Sequence, residues 1–150
     1  MPTDRPPRKT IRLPNYDYSS EGAYFVTICT EGKANILCQY SLPALEGDAP
    51  VFFPTQIGRA VDDMIRRIPG IDKYVIMPNH VHLIVFNGTN DASLAKKIQF
   101  FKSNLTRKLG CPIWQRSYYE YVIRSERDYL VRWKYIDDNP AKWASDEYYC

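Results

Sequence analysis

Histidine is almost missing from this chain. His80 and His82 are its only two in 150 residues, so a metal site built from three imidazoles is excluded. The four cysteines, Cys29, Cys38, Cys111 and Cys150, are scattered, with no Cys-x-x-Cys spacing among them. A cysteine zinc site is therefore not expected, and a cytoplasmic setting with reduced thiols is. No apolar run is long enough to span a bilayer, so no membrane partner is expected. Proline and charge fill the first residues, where a secretory leader would carry an apolar stretch. No repeat and no linker divides the chain, and 45% hydrophobic residues suffice for a core, so 1–150 reads as one domain. The formal net charge of +3 permits a phosphate-rich partner without demanding one.

What is present concentrates on the histidine pair. It lies in Tyr74-Val75-Ile76-Met77-Pro78-Asn79-His80-Val81-His82-Leu83-Ile84-Val85-Phe86, an apolar run that reads as strand, broken at Pro78-Asn79. Residues i and i+2 of a strand share a face, so both imidazoles project side by side, a geometry able to hold one metal ion. Two imidazoles are one ligand short of a catalytic site, so a third must come from elsewhere. A pair of strand histidines is as often structural as functional when taken alone. Twelve tyrosines are a second oddity, seven of them from Tyr118 onward.

The other elements follow from pattern. Residues 1–20 form a proline-rich basic arm with Arg8, Lys9 and Arg12, either a disordered terminus or a strap on nucleic-acid phosphates. Ala23 to Thr30 is a β-branched and aromatic strand, and residues 31–54 a short hairpin or loop. Thr55 caps a helix from about Gln56 to Ile68, ended by Pro69-Gly70. A second helix runs from about Ser93 to Leu109, stopped by Gly110, with Leu94, Ile98, Phe101, Leu105 and Leu109 as its apolar seam. Lys96, Phe100 and Arg107 fall on another face, ordinarily just solvated surface, though a base could stack there. Trp114 to Ile123 reads as a last strand, irregular at its start. A third helix from about Glu126 to Asp138 opens at Ser125, with Asp128 at the capping-box spacing. The order β, α, ββ, α, β, α predicts an α+β fold, an antiparallel sheet with helices packed on it.

On a helical projection, Tyr129, Leu130, Trp133 and Ile136 form one seam, and Tyr135 lies roughly 140° from its centre. Asn139 sits one turn beyond Tyr135 on the same side. By itself Tyr135 is an ordinary surface tyrosine and Asn139 a helix cap before Pro140. Beside a histidine pair that lacks a ligand, the two offer a nucleophile and a third ligand together.

These blocks resemble the REP-associated tyrosine transposases, within the single-tyrosine HUH transposases of bacterial insertion sequences. The resemblance runs through Tyr16 to Thr30, Val75 to Val85, Phe101-Lys102-Ser103, Trp114 to Arg124, and Tyr135-Ile136-Asp137-Asp138-Asn139-Pro140-Ala141-Lys142-Trp143. It implies a ferredoxin-like, RRM-like HUH fold. It implies His80 and His82 as metal ligands, completed by Asn139, for Mg²⁺ or Mn²⁺, with Tyr135 as nucleophile. It further implies cleavage and rejoining of single-stranded DNA at hairpins through a 5′-phosphotyrosine. The bacterial nucleoid is the implied place of action, and monomer or homodimer the implied state. Arg8, Lys9, Arg12, Lys96, Lys102, Arg107, Arg116, Tyr118 and Arg124 are the candidate DNA contacts, each of which also suits ordinary packing or surface. Many relatives carry histidine where this chain has Tyr121. The rival reading is a non-catalytic hairpin-binding protein derived from a transposase.

Overall fold

The computed structural model describes residues 22–41, 50–88 and 90–145. The arm with Arg8, Lys9 and Arg12 lies outside the described residues. Among the described residues, six strands and three α-helices follow in order: β1 (Gly22–Cys29), β2 (Cys38–Ser41), β3 (Val51–Pro54), α1 (Gln56–Ile65), β4 (Ile71–Met77), β5 (His80–Asn87), α2 (Leu94–Leu109), β6 (Tyr119–Ile123) and α3 (Glu126–Asp138). Four strands make one sheet in the order β4-β5-β1-β6, with every neighbouring pair antiparallel. This is the strand order of the ferredoxin-like, split βαβ arrangement, in which the central strands are the first and third of the repeat. β2 and β3 pair separately as a small ribbon.

Each helix starts where the chain offers a cap. The Thr55 hydroxyl accepts the Gly58 N–H, Ser93 that of Lys96 and Ser125 that of Asp128. Asp128 reaches back to the N–H of Arg124, one residue upstream of the usual capping-box partner. α2 closes on Gly110 at φ 85°, the left-handed conformation that suits glycine. α1 ends at Ile65, earlier than the expected Ile68, because the chain must turn onto β4 through Gly70. Gly70 has φ +85°, and a Cβ there would lie 1.9 Å from the Phe86 carbonyl oxygen. That carbonyl's own residue donates its N–H to Gly70, at 2.8 Å.

The last strand is also shorter than expected. β6 begins at Tyr119, while Trp114 makes only an isolated bridge to Thr30. The Lys102 ammonium donates to the carbonyls of Gln115 (2.8 Å) and Arg116 (3.1 Å), which ties this segment to α2, while the Gln115 N–H still donates to Cys29 of β1 at 2.9 Å.

Strand alternation gives the sheet two different faces. Val26, Ile28, Val81, Leu83 and Val85 point one way and pack with Val61 and Ile65 of α1 and Ile98, Phe101 and Leu105 of α2. Full burial of each such side chain contributes about 1.5–3 kcal/mol, so this layer is the main source of stability. Ala23, Phe25, Ile84 and Ile123 point the other way and cluster with Tyr129 and Ile136 of α3. His80 and His82 belong to this second face, since they alternate with Val81 and Leu83 along β5.

Candidate active site

The Pro78-Asn79 turn joins β4 to β5 as a two-residue hairpin, with Met77 opposite His80. Both imidazoles are buried, and their ring centroids are 4.6 Å apart at an interplanar angle of 71°. Each is held by its Nδ1. The His80 Nδ1–H donates to the Asn79 side-chain oxygen at 2.8 Å, since an amide oxygen can only accept. His82 Nδ1 and the Thr27 hydroxyl hydrogen-bond at 2.8 Å, across a β1–β5 pair in direct register. With Nδ1 engaged in both rings, the Nε2 edges are the ones placed to ligate a cation, the usual division of labour for a metal-binding histidine. Burial, then His80, then the Arg132 cation hold His82 well below the ordinary imidazole range. It is therefore neutral near pH 7, which is the ligating form.

α3 lies over this face. Its Tyr129 hydroxyl donates to Asp72 on β4 (2.6 Å), and Lys73 of β4 pairs with Asp137 (2.9 Å) beneath Trp133. Anchored so, the helix presents Tyr129, Arg132, Ile136 and Asn139 to the sheet. The expected seam included Leu130 and Trp133, but these are 53% and 37% exposed. The projection failed because it ranked residues by apolarity, whereas the sheet face beneath is aromatic and polar and takes Arg132 and Asn139.

Tyr135 borders that contact. Its ring lies edge-on to His82, with centroids 5.2 Å apart, and 5.9 Å from Phe25, which itself stacks on His82 at 5.2 Å and 22°. It is still 40% exposed. The phenol is thus both against an imidazole and open to solvent, which a nucleophile for a large substrate requires. Asn139 keeps helical dihedrals (φ −57°, ψ −44°) and is buried one turn later. The 3₁₀ turn Pro140–Ser145 then sets Trp143 against His80, at 6.0 Å and 29°. Asn139 lies in the chain between the residue on His82 and the residue on His80. Among the described residues no three His, Cys, Asp or Glu side chains cluster as a metal site. A third protein ligand from these residues would therefore be of another type, and the Asn139 carboxamide is a suitable hard donor.

Sequence reasoning missed most of the residues that hold this site. Thr27, Phe25, Asn79 and Trp143 have visible roles, and only the cross-strand register reveals Thr27 and Phe25. Tyr121 also gains a role: its ring lies 3.8 Å from the Arg132 guanidinium, and its hydroxyl donates to Asp128 at 3.3 Å. That carboxylate also faces Arg132 at 3.8 Å and holds the Arg124 N–H, so Asp128 serves the start of α3.

The proposed DNA contacts are not gathered around the imidazoles. Lys96 and Arg107 are on α2, in the opposite layer. Lys102 is committed to two carbonyls, and burial lowers its pKa. Tyr118 is half-buried against the aliphatic layer. Arg116 is exposed, and Arg124 is partly buried at the start of α3.

No family model matches the chain. An uncharacterized protein of Haemophilus influenzae is 32% identical over 95% of this chain and 93% of its own length. A REP-associated tyrosine transposase of Escherichia coli K12 is 32% identical over 48% of this chain and 44% of its own length, so that match spans less than half of the relative. A solved structure of a REP-associated tyrosine transposase bound to a REP hairpin has TM-score 0.60 and 23% identity, covering 89% of this chain and 74% of that one. The last likeness is one of fold.

Proposed function

We propose that the chain is a REP-associated tyrosine transposase, a reading supported by its likeness to one such protein in sequence and to another in fold, and that it cleaves and rejoins single-stranded DNA beside hairpins, with Tyr135 as nucleophile. The observation that most supports this reading is the edge-on contact between the half-exposed Tyr135 ring and His82, the second of two buried imidazoles held by their Nδ1 atoms. A REP hairpin is what the structural neighbour binds, and hairpin DNA is the partner proposed here.

His80, His82 and Asn139 would hold a divalent cation, Mg²⁺ or Mn²⁺, which when bound draws charge from the scissile phosphate. Thr27 and Asn79 orient the two imidazoles, and Phe25 and Trp143 stack on them, so the ligands are set before substrate arrives. The Tyr135 oxygen forms a bond to phosphorus, and the bond from phosphorus to the 3′-oxygen breaks. A proton leaves the phenol and one reaches the departing oxygen through solvent. The products are a 5′-phosphotyrosine and a free 3′-hydroxyl. A later 3′-hydroxyl reverses the step and joins strands without a nucleotide cofactor. Since Tyr135 and His82 meet within one chain, this reading needs no second subunit to complete the site.

The test is a labelled hairpin oligonucleotide with a single-stranded flank, incubated with Mg²⁺ or Mn²⁺. A covalent adduct on a denaturing gel is expected from the wild type. It should vanish in Tyr135→Phe, in His80→Ala and with EDTA. If the wild type binds the hairpin and never forms the adduct, the chain is a non-catalytic hairpin binder.

A further inference from the structure

The layer opposite the imidazoles carries a groove of about 940 Å³ between the last turn of α1 and the outer face of α2. Phe100 stands on its wall and is 69% exposed, the most exposed large hydrophobic side chain among the described residues. Around it are Arg67 from the turn after α1 and Lys96, Asn104, Arg107 and Lys108 from α2. Two more lining charges, Lys97 and Asp91, pair with each other at 3.2 Å. Lys108 faces Asp63 at a loose 4.0 Å, with both side chains about half exposed. The balance is a cationic rim around one bare aromatic ring. An aromatic face for a base, with cations for the flanking phosphates, is how proteins hold unpaired nucleic acid. A duplex, whose bases are already stacked, would leave the Phe100 ring idle.

We propose that this groove binds a single-stranded segment of the DNA substrate, with an unpaired base on Phe100 and its phosphates on Arg67, Lys96, Arg107 and Lys108. The proposal rests on the reading of the chain as a hairpin-processing enzyme and adds a second DNA site to it. The sheet separates the groove from His80 and His82, so DNA engaged at both sites passes around a sheet edge. The groove then acts on affinity and on the choice of flank, while the chemistry stays with Tyr135.

Binding can be measured in EDTA, where no cleavage is expected, by fluorescence anisotropy. The probes are a labelled hairpin with a single-stranded flank and the same hairpin without it. Phe100→Ala should weaken binding of the flanked probe by about tenfold, and Phe100→Trp should restore it. Lys96→Glu with Arg107→Glu should weaken it further and flatten the log–log salt dependence by about two. Both changes lie at exposed positions, and unchanged thermal unfolding will verify the fold. The flankless hairpin should bind all forms nearly alike. Wild-type affinity of both variants for the flanked probe overturns the proposal. So does equal weakening with both probes, which would make the groove a duplex site. The catalytic reading is judged separately: flank-dependent binding with no covalent adduct in Mg²⁺ or Mn²⁺ would leave the groove standing and remove the nuclease.

Discussion

One strand, β5, serves two very different layers. Its odd-numbered residues, Val81, Leu83 and Val85, are buried in a continuous aliphatic cluster beneath α1 and α2. Its even-numbered residues begin with His80 and His82, under a single helix that buries two large side chains, Tyr129 and Ile136, in its cluster. The first layer supplies stability through area removed from water. The second is thinly covered, aromatic and polar. It holds its functional groups by hydrogen bonds and ring contacts, to Thr27, Asn79, Phe25 and Trp143. The arrangement lets a rigid layer support a site that must stay open on its outer side.

The contrast can be broken most severely from the aliphatic side. Leu83→Ala or Ile98→Ala should cost about 2–5 kcal/mol in denaturant unfolding, because each leaves a cavity under two helices. Tyr135→Phe should shift that unfolding by no more than about 0.5 kcal/mol while removing the covalent DNA adduct. Equal destabilisation from the two layers would contradict the division described here. Next in size, Thr27→Val should weaken Mn²⁺ binding by about 10–100-fold, read by calorimetry, by freeing the His82 ring from its fixed orientation. An unchanged Mn²⁺ affinity would show that the hydroxyl does no such work.

A smaller effect sharpens the comparison at the helix starts. Ser125→Ala should cost about 1 kcal/mol through loss of the N-cap. Amide exchange should then rise in α3 before it rises in α2, since α3 has the sparser packing. Simultaneous loosening of both helices would show the layers to be one cooperative unit. The smallest effect is chemical. Burial pushes the Cys38 thiol up from 9.0 to about 12. At pH 8 its reactive thiolate is therefore scarce, and iodoacetamide should spare Cys38 while labelling the exposed Cys111. Reactivity of Cys38 would rise only as the pH approaches that raised value. Early labelling at pH 8 would mean that the β2–β3 ribbon, whose Tyr40 packs on Trp143, opens readily.

Much of the fold was legible because its signals are local. Thr55, Ser93 and Ser125 announce three helix starts, Gly110 one stop, and the alternation around His80 and His82 a strand with two faces. The α3 seam was misread because apolarity alone ranked Leu130 and Trp133 above Arg132 and Asn139. The partner surface, which no single helix encodes, reversed that order. The last strand was drawn too long for a similar reason. Lys102, a dozen residues away in the chain, ties the carbonyls of Gln115 and Arg116 to α2.

The sequence by itself determined that two imidazoles would stand side by side, since a two-residue period leaves them no alternative. It also determined where the helix bearing Tyr135 and Asn139 begins and ends, since capping is decided by immediate neighbours. The tertiary structure alone decided that Tyr135 would meet His82, that Thr27 and Trp143 would hold the histidines, and on which side of the sheet the exposed Phe100 would stand. Those facts depend on strand register and on which face of a helix a sheet accepts, and both are settled by contacts between residues distant in the chain.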